Sequence, residues 1–187
     1  MISLINGQVV SNKDGQVVVK TTGGVGYLVF ASLSGLKEWV VGKEAEVLTY
    51  LSVRENALDL FGFTTEAERG LFKKLLDVSG IGPKSALHIL SLGSVGDISA
   101  AINRGDVGYL TQVSGIGKKT AERIAVELKN KLADLGVVDD GGPVGDAVAG
   151  LVSLGYSATD ARVVVKGLNP SGKSSEALLK EALQKIK

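Results

Sequence analysis

Two short glycine-containing segments have the residue types and the spacing to bind phosphate. Residues 80–86 read Gly-Ile-Gly-Pro-Lys-Ser-Ala, and residues 115–121 read Gly-Ile-Gly-Lys-Lys-Thr-Ala, a constant offset of 35 residues. In each copy the first glycine suits a left-handed turn after a helix, and the second allows close approach to backbone N–H groups. A helix starting at that point offers unpaired N–H donors and the positive end of a dipole, which together attract a phosphate.

The candidate phosphate-binding residues are the glycines and the nearby cationic side chains of both copies. They are Gly80, Gly82, Lys84, Gly115, Gly117, Lys118, Lys119 and Arg123. Pro83 fits a first helical position, where its missing N–H costs nothing. One such segment alone could equally be an ordinary glycine cap between two helices. Two copies in one register favour phosphate binding.

Apolar residues flank each segment at helical spacing. Residues 71–76 and 107–110 are apolar segments that precede the two copies, while Ile89 and Leu90 follow the first copy and Ile124 and Leu128 the second. The predicted unit is therefore helix, glycine hairpin, helix, used twice over residues 64–136. Thr64 or Thr65, residues 97–103 and Asp106 are expected to supply a cap, a connecting helix and a second cap.

The ATPase phosphate loop is a competing interpretation that fails on spacing. That loop requires G-x-x-x-x-G-K-[ST], but Gln112 stands five residues before Gly117, two lysines follow that glycine, and Pro83 follows Gly82. Any ATP-driven step must therefore come from a partner.

Residues 1–63 are predicted to form a small β-barrel. Short β-rich runs at 17–19, 27–30, 47–53 and 58–63 follow an initial run containing Ile2 and Leu4, with turn signals at 14–15 and 23–24. Five strands with one irregular insertion near 32–36 suit a Greek-key barrel of the OB type. Trp39 is expected in its core or rim, with stacking on nucleic acid as the alternative.

The hairpins resemble those of the helix-hairpin-helix family of sequence-independent DNA binders. With its flanks, the chain resembles the RuvA family, the Holliday-junction-binding subunits of bacterial branch-migration complexes, over essentially its whole length. The most specific matching segments are 24–27 (Gly-Val-Gly-Tyr), 53–55 (Val-Arg-Glu), 61–63 (Phe-Gly-Phe), 115–123 and 154–156 (Leu-Gly-Tyr). The resemblance implies an acidic pin at the four-way crossover, where Glu55 matches the first acidic residue and Asn56 replaces the second. A solvated hairpin tip is the alternative.

The C-terminal residues 146–187 are predicted to form three short helices after a glycine-rich acidic linker at 137–145. Asp146 and Ser157 are expected to cap the first two helices, and Ser174 is expected to start the third. The fold class is therefore α+β and multidomain: an OB-type barrel, a tandem helix-hairpin-helix domain and, by resemblance, a UBA-like three-helix bundle. By the same resemblance this last domain docks onto a motor, with candidate contacts at Leu151, Leu154, Tyr156 and Leu183. The alternative is that most of these side chains form its core.

Partners are implied by the resemblance alone. They are four-way junction DNA, the hexameric RuvB ATPase and the RuvC resolvase, with the chain itself as a homotetramer and one or two tetramers on each junction. The resemblance implies a non-catalytic subunit in the bacterial cytoplasm, associated with the nucleoid. The rival classes are a helix-hairpin-helix repair nuclease or glycosylase, for which no catalytic carboxylate or lysine grouping is evident, and a protein-interaction adaptor.

The composition limits the kinds of site and segment that the chain can contain. The chain has no cysteine, one histidine and a net charge of +1, so disulfides and thiolate metal sites are excluded and no cofactor or metal is expected. The adjacent Asp139 and Asp140 lack converging ligands. No run of 18 apolar residues or signal pattern predicts a membrane segment. Near-neutral charge implies that DNA affinity depends on geometry and on several sites acting together.

Overall fold

The computed structural model describes residues 1–129, 131–132, 143–156, 158–168 and 173–185. The chain divides into two compact units, Met1–Val137 and Val138–Lys187. The first contains the barrel and both glycine hairpins, and the second contains the C-terminal helices. Within the described residues no single helix is long and apolar enough to cross a membrane, although one pair of helices bent by 102°, Pro83–Leu90 with Val95–Arg104, passes that test jointly on length and composition.

Five strands form a closed barrel in the order β1-β2-β3-β5-β4. The strands are β1 (Leu4–Lys13), β2 (Gln16–Lys20), β3 (Gly26–Ala31), β4 (Glu44–Arg54) and β5 (Ala57–Phe63). Pairing is antiparallel except between β3 and β5, which are parallel, and β1 closes the barrel against β4. This confirms the predicted OB-type barrel. The turn at 14–15 is also as predicted, because Asp14 and Gly15 both have positive φ, at 55° and 76°.

The insertion between β3 and β4 differs from the prediction. Residues 32–36 were expected to be irregular, but helix α1 (Leu33–Glu38) begins there, and the Ser32 hydroxyl accepts a hydrogen bond from the Gly35 N–H. Six residues are too few for helical spacing to show in the sequence. Gly35 brings this helix against Trp39, because an added Cβ would lie 2.4 Å from the indole ring.

Alternating side chains of the strands fill the barrel. Ile5, Val9, Val17, Val19, Val29 and Val47 are buried there together with Trp39, which is only 2% exposed. Trp39 is therefore a core residue, as the first of its two interpretations expected. Gly62 on β5 makes room for this packing, since an added Cβ would lie 2.5 Å from Val29 Cγ1 and 2.8 Å from Val47 Cγ1.

Gly62→Ala is expected to destabilise the first unit by about 1–3 kcal/mol, because the added methyl overpacks a filled barrel. Its φ requires no glycine, so the cost comes from packing alone. Thermal or urea unfolding would measure it, with Gly26→Ala as the control. At Gly26 an added Cβ would meet only Val18 Cγ1, at 3.6 Å. Equal stability of the two variants would contradict the packing argument.

Five helices follow the barrel: α2 (Glu66–Leu76), α3 (Pro83–Leu90), α4 (Val95–Arg104), α5 (Val107–Leu110) and α6 (Lys118–Leu128). Thr65 caps α2 through its hydroxyl, and Asp106 caps α5 by accepting from the Tyr109 N–H at 3.0 Å. Both caps were predicted. Helix α4 begins two residues before the predicted Asp97, because Ser94 and Asp97 form a reciprocal capping box.

Helix α2 attaches the hairpins to the barrel. Phe72 contacts Phe61 and Phe63 with ring centroids 5.3 and 4.8 Å apart, so barrel and helices share one hydrophobic core. The Glu68 carboxylate accepts hydrogen bonds from Ser32, Ser34 and Thr64, and Arg69 Nη1 donates to the Ser3 carbonyl at 2.9 Å. These contacts fix the hairpins on the barrel.

The C-terminal unit contains α7 (Pro143–Ser153), α8 (Ala158–Lys166) and α9 (Ser175–Lys185). Residues of all three helices share a buried cluster that includes Leu151, Val165 and Leu178. Helix α7 begins three residues before Asp146, which lies in its first turn and is not the cap that was predicted. Within the predicted linker, residues 143–145 are thus helical, while 137–142 lie outside the described residues. Ser174, predicted to start the third helix, instead precedes α9 and caps it by accepting a hydrogen bond from the Ala177 N–H. Ser157 is outside the described residues.

Candidate nucleic-acid interface

The two glycine hairpins have nearly the same backbone geometry. Gly80 and Gly115 adopt the left-handed conformation, with φ of 91° and 87°. The N–H of the isoleucine after each glycine donates to the valine carbonyl three residues earlier, at 3.1 Å in both copies. Both isoleucines, Ile81 and Ile116, are buried in the shared core. The duplicated sequence therefore folds into a duplicated turn, and a buried isoleucine anchors each copy to the core.

The second glycine of each hairpin starts a helix and faces open space. Gly82 and Gly117 are the N-caps of α3 and α6, with ψ of 169° and 168°, and among the described residues no side chain caps either helix. An added Cβ at either position would meet nothing within 4 Å. Neither backbone strain nor internal packing requires these two glycines. What they provide is access to the N–H groups of the first helical turn, which have no partner within the helix.

Three of the candidate cations differ in their surroundings. Lys118 and Lys119 at the start of α6 are exposed. Lys118 Nζ is 3.9 Å from Glu122, and this exposed ion pair contributes little stability. Lys84 Nζ lies 5.2 Å from the centroid of the Phe30 ring on β3. The second hairpin therefore presents two exposed lysines, whereas the lysine of the first is also held over an aromatic ring of the barrel.

Arg123 is placed differently from the lysines. Its Nη1 donates to the Ser79 carbonyl at 2.8 Å, and its Nε is 4.0 Å from Glu127. The side chain thus connects the second hairpin to the first. His88, at the equivalent position of the first copy, is exposed.

Tyr109 connects α5 to the loop between α3 and α4. Its hydroxyl donates to the Leu92 carbonyl at 3.1 Å. Burial raises the pKa of the Tyr109 phenol, and the neighbouring carboxylates of Asp97 and Asp106 raise it further. The phenol therefore stays protonated at neutral pH and keeps this hydrogen bond.

The predicted pin is a two-residue turn at the end of the β4–β5 hairpin. Glu55 and Asn56 are both exposed there, beyond the last strand pair, Arg54 with Ala57. Arg54 forms an ion pair with Asp59 on the same hairpin. Sequence reasoning missed the apolar pair beside the turn: Val53 and Leu58 lie directly opposite each other and are 69% and 72% exposed. Strand alternation could have shown that both side chains face outward.

The candidate docking residues of the C-terminal unit separate into two groups. Leu154, Tyr156 and Leu183 are exposed, at 59%, 38% and 39%. Leu151 is wholly buried with the other core residues of its unit, which agrees with the alternative that it forms the core. Val152 and Val163 are exposed apolar residues of the same unit that sequence reasoning did not identify. Hydrophobicity alone does not tell which side of a short helix faces its neighbours.

No group of three or more His, Asp or Glu side chains suited to a metal ion occurs among the described residues, and Asp139 and Asp140 lie outside them.

A closed OB-type barrel fused to two glycine hairpins, with helix N-termini open to a phosphate, defines a protein of the tandem helix-hairpin-helix class.

The family follows from sequence comparison. Models of the RuvA N terminal domain, a SAM-like helix-hairpin-helix tandem and the RuvA C-terminal domain match residues 1–62, 72–130 and 142–187. The chain is 43% identical to the Holliday junction branch migration complex subunit RuvA of Methylibium petroleiphilum over 90% of each chain. It is 41% identical to the protein of that name from Methylococcus capsulatus over 98% of each. The chain belongs to the RuvA family.

Proposed function

We propose that the protein binds four-way DNA junctions independently of sequence and serves as the DNA-binding subunit of a branch-migration complex. Its relatives carry the name of that complex. The structural observation that carries the proposal is the pair of open helix N-termini at Gly82 and Gly117, attached to one barrel through a shared core. Phosphate contacts position a protein on DNA but carry no base sequence. A site built from them discriminates by the geometry of the DNA.

The phosphate-binding groups are the backbone N–H donors that follow the two turns. In the first hairpin these start at Gly82, with Lys84 as the cation, and Gly80 makes the turn. In the second they start at Gly117, with Lys118 and Lys119, and Gly115 makes the turn. The second hairpin is the stronger site, because it has a donor at Lys118 where the first has Pro83.

Assembly would convert this pair of weak contacts into junction selectivity. In a homotetramer four copies of both hairpins would meet four DNA arms, and closed cyclic symmetry is a common way to build such an assembly. Glu55 at the exposed hairpin tip would then repel phosphates at the crossover and keep the strands apart. Asn56 leaves that tip with one carboxylate. A second tetramer on the opposite face of the junction is compatible with this arrangement.

The C-terminal unit is proposed as the docking module for the RuvB ATPase. Its three helices share a small core and leave Leu154, Tyr156 and Leu183 exposed. We infer that they form a UBA-like bundle. The chain itself is non-catalytic, and the hexameric motor hydrolyses ATP. The RuvC resolvase acts on the same junctions, and the whole assembly works on DNA in the bacterial cytoplasm, at the nucleoid.

Binding measurements with four-way and linear DNA test the function directly. Labelled junctions and linear duplexes of equal length and base composition are titrated with the protein, with and without Mg²⁺. Affinity for the junction is expected to exceed that for the duplex by at least about tenfold, since several hairpins engage at once. Equal affinity would contradict junction recognition. Cleavage of either DNA would favour the nuclease alternative, and no binding would favour an adaptor.

A further inference from the structure

The contact between the two hairpins depends on one side chain. Arg123 Nη1 on α6 donates to the carbonyl oxygen of Ser79, 44 residues earlier in the chain, at 2.8 Å. Ser79 directly precedes Gly80, whose positive φ makes the first turn. An added Cβ at Gly80 would lie 3.8 Å from Arg123 Nη1. The guanidinium of the second hairpin therefore lies against the turn of the first.

A second interaction holds this guanidinium in place. Glu127, one helical turn further along α6, has a carboxylate oxygen 4.0 Å from Arg123 Nε. The two side chains are 48% and 41% exposed, so the ion pair contributes little stability by itself. One nitrogen of Arg123 is thus committed to a backbone carbonyl and another faces a carboxylate.

The internal repeat supplies a comparison. His88 stands at the position equivalent to Arg123, and Ser114 stands at the position equivalent to Ser79. Within the part of the chain that the structure describes, the exposed His88 imidazole makes no hydrogen bond to the second turn. The connection therefore runs one way, from the second hairpin to the first. The hydrogen bond from Arg123 reaches the first hairpin. This hairpin has fewer N–H donors than the second, because Pro83 lacks an N–H.

We propose that Arg123 is a positioning residue for the first hairpin. Through the Ser79 carbonyl it holds Gly80 and Gly82 in the conformation that presents the N–H groups of α3 to DNA. The alternative role, predicted from its place four residues after Lys119, is to neutralise a phosphate in the second hairpin. This inference rests on the phosphate-binding function proposed above.

A double-mutant cycle separates the two roles of Arg123. Arg123→Met keeps most of the side-chain length but removes the donors, and is measured alone, with Gly82→Asp and with Gly117→Asp. Alone it is expected to weaken junction binding by about fivefold, the effect of one solvent-exposed hydrogen bond. With Gly82→Asp the additional loss should fall below about twofold, because the first hairpin is already disabled. With Gly117→Asp the loss should remain about fivefold.

Lys118→Met is the matched control, because it removes a cation from the same helix with no contact to the first turn. Its loss should show the opposite pattern, disappearing with Gly117→Asp and remaining with Gly82→Asp. If Arg123→Met behaves like this control, Arg123 binds phosphate and the proposal is overturned. Equal losses on both backgrounds, or no loss at all, also overturn it.

Amide hydrogen exchange of the free protein tests the positioning role without DNA. The Ile81 N–H is bonded within the first turn and the Ile116 N–H within the second, both at 3.1 Å. Arg123→Met is expected to speed exchange at Ile81 by about fivefold and leave Ile116 unchanged, since only the first turn loses a partner. Unchanged exchange at Ile81, or equal acceleration at both, overturns the proposal. If the protein failed to bind junctions at all, this result would still stand by itself.

Discussion

Gly117→Asp is expected to weaken junction binding about tenfold to a hundredfold without lowering the melting temperature. The carboxylate would occupy the space where a phosphate approaches. It would also accept hydrogen bonds from the N–H groups that the phosphate needs. Losing charge-assisted hydrogen bonds costs about 1.5–3 kcal/mol. Folding should not suffer, because aspartate is a favoured N-cap, the position has an extended backbone, and an added Cβ meets nothing within 4 Å.

Gly82→Asp should give a smaller loss of affinity. The first hairpin has no donor at Pro83, and its Lys84 is held over Phe30. Gly117→Asn caps the helix without a charge and should lose less affinity than Gly117→Asp. Gly115→Ala is the contrasting variant, because its φ of 87° strains any side chain and should lower the melting temperature. Junction titrations and thermal unfolding of all four variants measure these effects.

Two outcomes would contradict this account of the hairpins. Equal losses for Gly82→Asp and Gly117→Asp, with both proteins folded, would remove the ranking of the two sites. Full binding by Gly117→Asp would show that the open N-terminus of α6 is not where phosphate binds.

The hairpins could be predicted from sequence because their determinants are local. Gly80 and Gly115 are needed for a positive φ, and the burial of Ile81 and Ile116 follows from apolar spacing within a few residues. The barrel could be predicted for a similar reason, since its strands alternate in burial and Asp14 with Gly15 forms a tight turn.

The contacts between distant segments could not be predicted. The chain gives no local signal that Arg123 reaches Ser79, that Lys84 lies over Phe30, or that Glu68 accepts hydrogen bonds from Ser32. The contacts of Lys84 and Glu68 depend on how the helices pack on the barrel, and that of Arg123 depends on how α6 packs beside the first hairpin. Such packing is a property of the shared core around Phe72 and not of any one segment. For this reason, the sequence shows which charged residues lie near a motif but not which contacts their side chains make.

The burial of Leu151 could not be predicted for a related reason. Leu151 and Leu154 are three residues apart, yet the first is wholly buried and the second is 59% exposed. Leu151 faces the cluster formed with α8 and α9, whereas Leu154 follows the last residue of α7. The sequence shows both as apolar, and only the packing of the three helices separates them.

Removing the C-terminal unit is expected to separate DNA binding from motor recruitment. A chain ending at residue 137 keeps the whole first compact unit. Both hairpins and the core beneath them lie within it, and the core of the second unit includes no residue of the first. Junction affinity should therefore change by less than about twofold, as for independent sites. ATP-driven branch migration with the RuvB motor should be abolished. Loss of junction binding by the truncated chain, or migration that persists, would contradict this division of labour.

Leu154→Asp in the full chain should reproduce the loss of branch migration if this exposed side chain faces the motor. A charge buried at an apolar protein contact costs several kcal/mol, so recruitment should fall by about a hundredfold or more. Gln184→Asp, at another exposed position of the same unit, is the matched control and should support normal branch migration. Leu151→Asp is expected to unfold the unit, because it places a carboxylate in a buried core. Circular dichroism distinguishes loss of motor binding by a folded protein from loss caused by unfolding of the unit. A folded Leu154→Asp protein that still drives migration would show that the motor binds elsewhere.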